Sequence, residues 1–397
     1  MTQQKTAQSR YYIDGHVHIG RSKSGAAIKI AAAPSLTIDG ILATASVQKG
    51  IQILGVIDAV TPPIFHELED LVTLGTLVPL RDGGLRYKDE LTLLLGGEIE
   101  VRGPYGGAAH FGAFVPDLKA LREFAQWLEK EQTNPNLSSQ RIKNADANAL
   151  GQIIQELNGL LIVNHAFTPH KGLYGRCVRH LGEMIDPAFV SAIELGLSAD
   201  TAMADRLSEL AHFTFVTNSD AHSLPRIARE YQIAALTAPT FRAYQSALLR
   251  QGENRLLANI GMFPNLGKYH RSACASCHAM LPFGDGSCPA CGAKRAVTGV
   301  AERLQLIADY EQPHSPEHRP PYIHQVPLHF IPGLGPKLMQ KLCAEFGTEM
   351  NIINEVPIPQ LAEVIGEPLA QMIGQARLGQ LILEPGYGGQ YGRVQKT

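Results

Sequence analysis

Nine side chains of metal-binding type stand at or just past the ends of seven short apolar segments in this chain. His16-Val17-His18 opens the series and Asp220-Ala221-His222 closes it, with Asp58, Glu98, His110, His165 and Glu194 between them. Side chains two apart on a strand share a face, so His16 and His18 can chelate one ion side by side, as can Asp220 and His222. Imidazole suits zinc, manganese and iron, and carboxylates bridge hard divalent ions. The mixture predicts a two- or three-ion cluster able to lower the pKa of a water molecule and to clamp a phosphoryl oxygen. No activated serine or cysteine is then required. The sequence holds no G-x-S-x-G, no P-loop and no G-x-G-x-x-G following a strand. His66, His170, His180 and His212 lack a comparable setting and read as ordinary surface or core residues.

The elements that must carry these residues are short strands separated by helices. IQILGVID, LTLLLGGE, GLLIVNH, VSAIELG and FTFVTNSD read as strands, and LKALREFAQWLEK and ALGQIIQELNG as amphipathic helices. Such alternation over residues 11–262 predicts an α/β fold, either a parallel barrel or a doubly wound sheet. In both, the functional site forms at the C-terminal ends of the strands, which is where the ligands fall. Residues 1–10 are expected to be a flexible tail.

The remaining third has a different texture. Cys274-x2-Cys277, ten residues, then Cys288-x2-Cys291 predicts a structural zinc site with four thiolates and no open position. Residues 263–300, which form this module, carry Lys268, Arg271, Lys294 and Arg295 against one acid, Asp285. That local balance suits phosphate contacts, with simple stapling of the domain as the other reading. The stretch 301–326 includes EQPHSPEHRPP and reads as a stiff, Pro-rich linker. Residues 327–397 are helical in pattern. Within them Ile331-Pro332-Gly333-Leu334-Gly335-Pro336-Lys337-Leu338 predicts a hairpin between two helices. Free amides at the second helix, with Lys337 beside them, would meet a phosphate. Val364-Ile365-Gly366-Glu367-Pro368 is a second, weaker candidate, with Glu367 where a phosphate would be repelled.

Bulk composition sets limits. The chain has 397 residues, a net charge of −2 and 45% hydrophobic residues, the profile of a soluble globular protein of two or three domains. That charge offers no bulk argument for nucleic-acid binding. No stretch is long and apolar enough for a membrane span, and the polar start MTQQKTAQSR lacks the apolar core of a secretory signal. Six cysteines, four of them in one cluster, fit a reducing cytoplasm.

At the ligand positions the sequence resembles the polymerase-and-histidinol-phosphatase (PHP) family. Asp14-Gly15-His16-Val17-His18 matches its opening D-x-H-x-H, and Gly97-Glu98-Ile99 its G-x-E-[IV] segment. Asn164-His165 matches a middle histidine, and Asp220-Ala221-His222 the closing D-x-H. The resemblance implies a distorted (β/α)7 barrel, one to three divalent ions (zinc, manganese or magnesium) and phosphoester hydrolysis. Two departures point to a reduced cluster. Ala59 follows Asp58 where that family often has histidine, and Lys23 and Ser24 occupy the region where an acidic ligand is expected.

Within that family the chain is similar to the endonuclease Q group, through EIEV, AAHFGAFVP, HAFTPHKGLYG, SAIELGLSADTAMADRLSEL and VTNSDAHS. The similarity covers most of the chain through the zinc module. The Gly333–Lys337 string resembles a helix-hairpin-helix motif, and makes Gly333, Gly335 and Lys337 candidate DNA contacts. Together these imply a DNA-repair endonuclease that cuts 5′ of uracil, hypoxanthine, xanthine or an abasic site. Asp220 and His222 would hold the catalytic metal. The lesion would leave the base stack, with Phe167 and Tyr174, beside His165, as candidates to line its pocket or wedge the duplex, and ordinary core at the sheet's mouth as the equal alternative. Damaged DNA is the expected partner, and a sliding-clamp partner is left open. The alternatives are a small-molecule phosphatase of the histidinol-phosphate kind and a non-catalytic DNA-binding protein. The first needs no zinc module, and the second needs no intact ligand set.

Overall fold

The computed structural model describes residues 8–281 and 287–395. The expected tail falls mostly outside them, at residues 1–7, as does Asp285 of the zinc module. Ser9 and Arg10 already belong to the first strand, β1 (Ser9–Val17).

The other strands of the main sheet are β2 (Ile53–Val56), β3 (Leu77–Pro79), β4 (Leu85–Tyr87), β5 (Leu91–Arg102), β6 (Ala108–Val115), β7 (Leu160–Val163), β8 (Ala192–Glu194), β9 (Thr214–Val216), β10 (Tyr231–Leu236) and β11 (Arg255–Gly261), then β14 (Tyr322–His324) beyond a two-stranded ribbon, β12 (Ala273–Cys274) and β13 (Ala296–Val297). The path through the sheet is β14-β11-β10-β1-β2-β5-β6-β7-β8-β9, with β3 and β4 paired at its side. The sheet curls so that the segment after β9 returns to β1. Val17 and Ala221 form a parallel bridge there, with His18 N donating to Ala221 O at 3.2 Å. The expected seven-stranded barrel is therefore realised as a curled mixed sheet shut by an isolated bridge, not by a continuous ladder.

The sheet is not uniformly parallel. β1, β2 and β5 run parallel, as do β7, β8 and β9, but β6 is antiparallel to both β5 and β7. The cause is local. Gly103-Pro104-Tyr105-Gly106-Gly107 folds β5 directly back into β6, with φ of +94° and +73° at Gly106 and Gly107, a turn chemistry that favours glycine. The reversal brings the start of β6 to the mouth where β5 ends, so His110 faces Glu100 in the ladder.

Helices cover part of the outer face: α1 (Ile38–Ala43), α2 (Pro62–Thr73), α3 (Leu118–Glu131), α4 (Ala147–Glu156), α5 (Thr201–Ala204) and α6 (Phe241–Leu248). α3 and α4 are the two helices read from sequence. Asp117 caps α3 by accepting from Ala120 N at 2.9 Å, and Asp146 caps α4 by accepting from Ala149 N at 2.9 Å. α3 buries Ala120, Leu121, Phe124 and Leu128, one stripe of a 3.6-residue period. Among the described residues no helix is long and apolar enough to cross a membrane.

The stretch expected to be a linker is built into the fold. It contains most of α7 (Val300–Ile307) and the whole of β14, which pairs in parallel with β11. Between them Arg319 makes a buried ion pair with Asp205 at 2.8 Å. Its prolines extend the chain, but apolar burial and this pair hold it down.

The C-terminal helices are α8 (Pro336–Phe346), α9 (Glu349–Asn354), α10 (Ile358–Ile365) and α11 (Glu367–Arg377), followed by a small ribbon, β15 (Leu383–Glu384) and β16 (Arg393–Val394). They dock on the helical segment Thr44–Lys49 through Lys49 Nζ–Glu349 Oε2 at 2.7 Å, and on β10 through the Tyr231 hydroxyl with Asn354. One contiguous apolar core runs from Val17 to Val394.

The hairpin expected around Gly333 is not flanked by two helices. Before it stands a single 3-10 turn, Leu328–Phe330, because Pro327 and Pro332 bracket too few residues for a helix. The helical pair with a tight glycine turn lies at the second candidate, where Gly366 (φ +83°) joins α10 to α11.

Candidate metal centre

Local backbone distortion aims the first histidines. The β1–β2 register shifts between Asp14 and Val17, a bulge of the kind common beside active sites. It turns His16 and His18 so that their Nε2 atoms lie 3.3 Å apart. Asp14 holds the closing segment in place, accepting from Ser219 N at 3.0 Å and Ala228 N at 2.9 Å. Asp220 adopts φ +45°, a conformation costly for a non-glycine residue. Its Oδ1 stands 3.6 Å from His16 Nε2 and 3.5 Å from His18 Nε2.

A second group forms around β5 and β6. Glu98 Oε1 lies 3.1 Å from His110 Nδ1 and 3.3 Å from His165 Nε2, and His165 also has positive φ, +29°. Glu98 joins the two groups. Its Oε1 is 3.6 Å from His16 Nε2, and its Oε2 is 3.6 Å from His18 Nε2.

Asp58 and Glu194, expected among the ligands, stand one layer further out. Glu194 Oε2 accepts from His16 Nδ1 at 3.0 Å and from Asn218 Nδ2 at 2.9 Å, and Oε1 accepts from His165 N at 3.1 Å. Asp58 Oδ2 accepts from His18 Nδ1 at 3.0 Å and Ile19 N at 2.7 Å. A carboxylate on Nδ1 fixes the tautomer and leaves the Nε2 lone pair facing inward. His222 lies outside both groups. Its Nδ1 faces the Asp220 carbonyl at 3.0 Å, and its ring is 4.7 Å from that of His18. Burial pushes its imidazole down to about 4, against the opposing pull of Asp220.

The donor set fits divalent cations. His16, His18 and Asp220 offer ligand atoms within 4.8 Å of one another, and so do Glu98, His110 and His165. His110 Nδ1 is buried without a hydrogen-bond partner although Glu98 Oε1 is 3.1 Å away, the arrangement of two acceptors facing a common point. Asp58 Oδ1 is likewise buried and unpartnered. Burial opposes charge on His16, but Glu194, Asp220 and Glu98 push it up to about 10, so a cation is wanted there. Burial would raise the Asp220 carboxyl, yet His16, His222 and His18 hold it well below the usual carboxylate range.

Two participants escaped sequence reasoning. Lys29 Nζ reaches Glu98 Oε2 at 3.1 Å and Ser139 Oγ at 2.5 Å, placing an ammonium beside the carboxylate that joins the groups. Asn164 Nδ2 donates to Glu98 Oε1 at 3.2 Å. Spacing offered no signal for Lys29, whereas Asn164 stands next to a named ligand.

No family model matches the chain. It is 42% identical over 388 residues to the uncharacterised protein YqxK of Bacillus subtilis strain 168, covering 97% of this chain and 99% of that protein. The fold superimposes on the lesion-specific endonuclease PfuEndoQ of Pyrococcus furiosus with a TM-score of 0.83 at 30% identity, over 98% of this chain and 95% of that one. The chain belongs to the endonuclease Q family. A structure of endonuclease Q with a 27-mer duplex carrying an abasic lesion at the active site matches with a TM-score of 0.85 at 29% identity, over 98% and 97% of the two chains.

Around the centre of this endonuclease Q member lie two further features. Cys274, Cys277, Cys288 and Cys291 place their sulfurs within 4.8 Å of one another. The Cys274–Cys291 and Cys277–Cys288 pairs are each 3.6 Å apart, too long for disulfides and suited to a tetrahedral ion. The amides of Cys277 and Ser276 hold the Cys274 thiol down to about 6, which favours the thiolate a metal needs.

The second feature is a cleft of about 1080 Å³ between the sheet's mouth and the cysteine module. It begins beside the candidate metal ligands, where His110 N donates to Lys171 O at 2.9 Å. Arg102, Arg141, Lys171, Arg176, Arg271, Lys294 and Arg295 line it. Arg141 and Lys171 are paired with Glu100, and Arg271 with Glu302. Of the four cations that marked the zinc module, Arg271, Lys294 and Arg295 thus line the cleft, Arg271 with its charge paired to Glu302. Another cavity, about 900 Å³, opens at the N-terminal end of β9 around Thr214 and Arg319, and none of the nine candidate ligands lines it.

Phe167 and Tyr174 are fully buried and stacked on each other at 5.5 Å, so they belong to the core and face no open pocket. Gly333, Gly335 and Lys337 are exposed at the start of α8.

Proposed function

We propose that this chain is a metal-dependent DNA-repair endonuclease that hydrolyses the phosphodiester 5′ of a deaminated base (uracil, hypoxanthine or xanthine) or an abasic site. The observation that carries this reading is the pair of ligand triads joined by Glu98 at the end of a basic cleft. A small-molecule phosphatase has no use for a cleft of that length and charge. The neighbour solved with an abasic duplex at its active site supports the choice of lesion DNA.

In this reading His16, His18 and Asp220 hold one ion, and Glu98, His110 and His165 a second. Divalent zinc, manganese or magnesium held there would lower the pKa of water and clamp a phosphoryl oxygen. Asp58 and Glu194 fix the histidine tautomers. His222 donates Nδ1–H to the Asp220 carbonyl, which leaves Nε2 to complete the ligand set of the catalytic ion. Lys29 holds Glu98 and sets a fixed positive charge beside the reacting phosphate. The four cysteines hold structural zinc. Arg102, Arg176, Lys294 and Arg295 meet backbone phosphates along the cleft, and Gly333, Gly335 and Lys337 make a separate backbone contact at the start of α8. Residues 11–262 form the catalytic unit. Six free cysteines suit a reducing cytoplasm.

The test is a labelled duplex holding one uracil, hypoxanthine or abasic site, incubated with the protein and manganese, magnesium or zinc. One cut 5′ of the lesion, leaving a 3′-hydroxyl and a 5′-phosphate, is expected. Intact lesion duplex together with rapid phosphate release from histidinol phosphate would overturn the reading. Asp220→Ala is expected to slow cleavage by roughly three orders of magnitude or more while duplex binding stays measurable.

A further inference from the structure

Three cations gather round one aromatic ring at the edge of the metal centre. The guanidinium carbons of Arg226 and Arg229 lie 5.6 and 5.4 Å from the centre of the Tyr391 ring, and Lys268 Nζ lies 5.5 Å from it. Arg229 is buried and fully committed. Its Nη1 donates to the Tyr391 hydroxyl at 2.6 Å, its Nε to Ser219 O at 2.7 Å and its Nη2 to Asp220 O at 3.3 Å. One side chain thus ties the ring to the backbone of a candidate metal ligand.

Lys268 connects the same ring to the basic cleft. Its ammonium also stands 5.4 Å from the ring of Tyr269, which lines that cleft. The C-terminal segment is pinned beside it, with Gly389 N donating to Lys268 O at 3.1 Å and Gly392 N to Leu266 O at 2.9 Å. Tyr391 therefore stands between the cleft and the metal centre, delivered there by the last turn of the chain.

Among the described residues none of the three cations has a carboxylate oxygen within 4.0 Å. Cation–π contact holds each charge against the ring but neutralises none of them. Like charges held this close repel, and an anion relieves the repulsion. Phosphate oxygens suit both an Arg fork and a Lys point charge.

We propose that Arg226, Lys268 and Tyr391, anchored through Arg229, form a binding site for a DNA backbone phosphate that seats the strand between the cleft and the metal centre. The inference rests on the endonuclease reading and adds a specific phosphate contact to it. Arg226 and Lys268 supply charge, and Tyr391 is a positioning residue that places them.

The experiment uses the full chain with its metals and a fluorescent duplex whose abasic site carries a non-hydrolysable linkage on its 5′ side. Affinity is measured by anisotropy over a series of salt concentrations. The Arg226→Ala/Lys268→Ala double variant should lose affinity about tenfold, and its log K against log salt slope should flatten by about one phosphate contact. Tyr391→Leu removes no charge, yet should reproduce a large part of that loss. Lys130→Ala, on the exposed face of α3, serves as the remote control and should match the wild type. Metal content, measured in every variant, should be unchanged. Wild-type affinity and slope in the double variant would overturn the phosphate site while leaving the endonuclease reading standing. Loss of metal alongside affinity would reduce the cluster to a structural role and overturn it too. A wild type that fails to bind the lesion duplex overturns both.

Discussion

His16 and Glu194 form a buried pair, Nδ1 to Oε2 at 3.0 Å, which leaves the Nε2 end of the imidazole facing His18 and Asp220. In the proposed reading Glu194 is the outer partner of the candidate ligand His16. Glu194→Gln keeps the size of the side chain but lowers the basicity it lends to His16. Metal affinity at the first group should fall by roughly 10- to 100-fold, as is usual for such outer partners. Isothermal titration of the metal-stripped protein checks this, and an unchanged affinity would remove Glu194 from that role.

Lys29 beside Glu98 predicts a split between binding and turnover. An ammonium next to the proposed ions would repel incoming cations but stabilise a phosphate transition state. Lys29→Met should therefore tighten divalent-ion binding by roughly tenfold and slow single-turnover cleavage by a similar factor. Both quantities moving in the same direction would contradict the assignment, whereas Lys29→Arg should restore much of the rate.

The four-thiolate cluster predicts local dependence on zinc. Structural zinc in modules of this size contributes on the order of 10 kcal/mol to folding. Cys288→Ser should lower the zinc count by one per chain, and amide exchange across residues 273–281 and 287–297 should speed up strongly. The main sheet keeps its own core and should stay protected. Full zinc occupancy in the variant would show that the cluster is not the site.

Glu230 predicts a pH dependence of stability. It is wholly buried, Oε1 accepts from Met262 N at 2.8 Å and Oε2 has no partner. Burial pushes its carboxyl up to about 8 from 4.5. A folded pKa above the unfolded value means that the folded state holds the proton more tightly between these limits. The contribution is therefore fully present below about 4.5 and is lost as pH rises through about 8. Stability should drop by a few kcal/mol, in order of magnitude, across that window. Glu230→Gln should flatten the drop and raise the melting temperature at pH 9 more than at pH 6. Parallel melting curves at the two pH values would refute it.

Much of the site could be read from residue order alone, and the reason is geometric. Histidines two apart on a strand share a face, and a carboxylate in an apolar run stands out, so His16, His18, Glu98 and Asp220 were recognisable as candidates, whereas His110 reaches the same point only because β6 reverses. The contacts of Asp58 and Glu194 with the Nδ1 atoms of His18 and His16 were not recognisable, because sequence spacing does not say which nitrogen of a neighbouring ring a carboxylate touches. From its place beside His165 the aromatic pair Phe167 and Tyr174 could equally line a pocket or belong to the core. Only packing shows the two rings closed on each other.

The sequence by itself determined the candidate ligand types, the four-cysteine spacing, the helices α3 and α4, and the family. These depend on local periodicity and short spacing. Only the tertiary structure decided the reversal of β6, the placing of Lys29 on Glu98, the basic cleft, and the seat of Tyr391 on Arg229 beside Asp220. Each joins residues tens to hundreds of positions apart, and no local pattern encodes which side chains a curled sheet will bring to the same point.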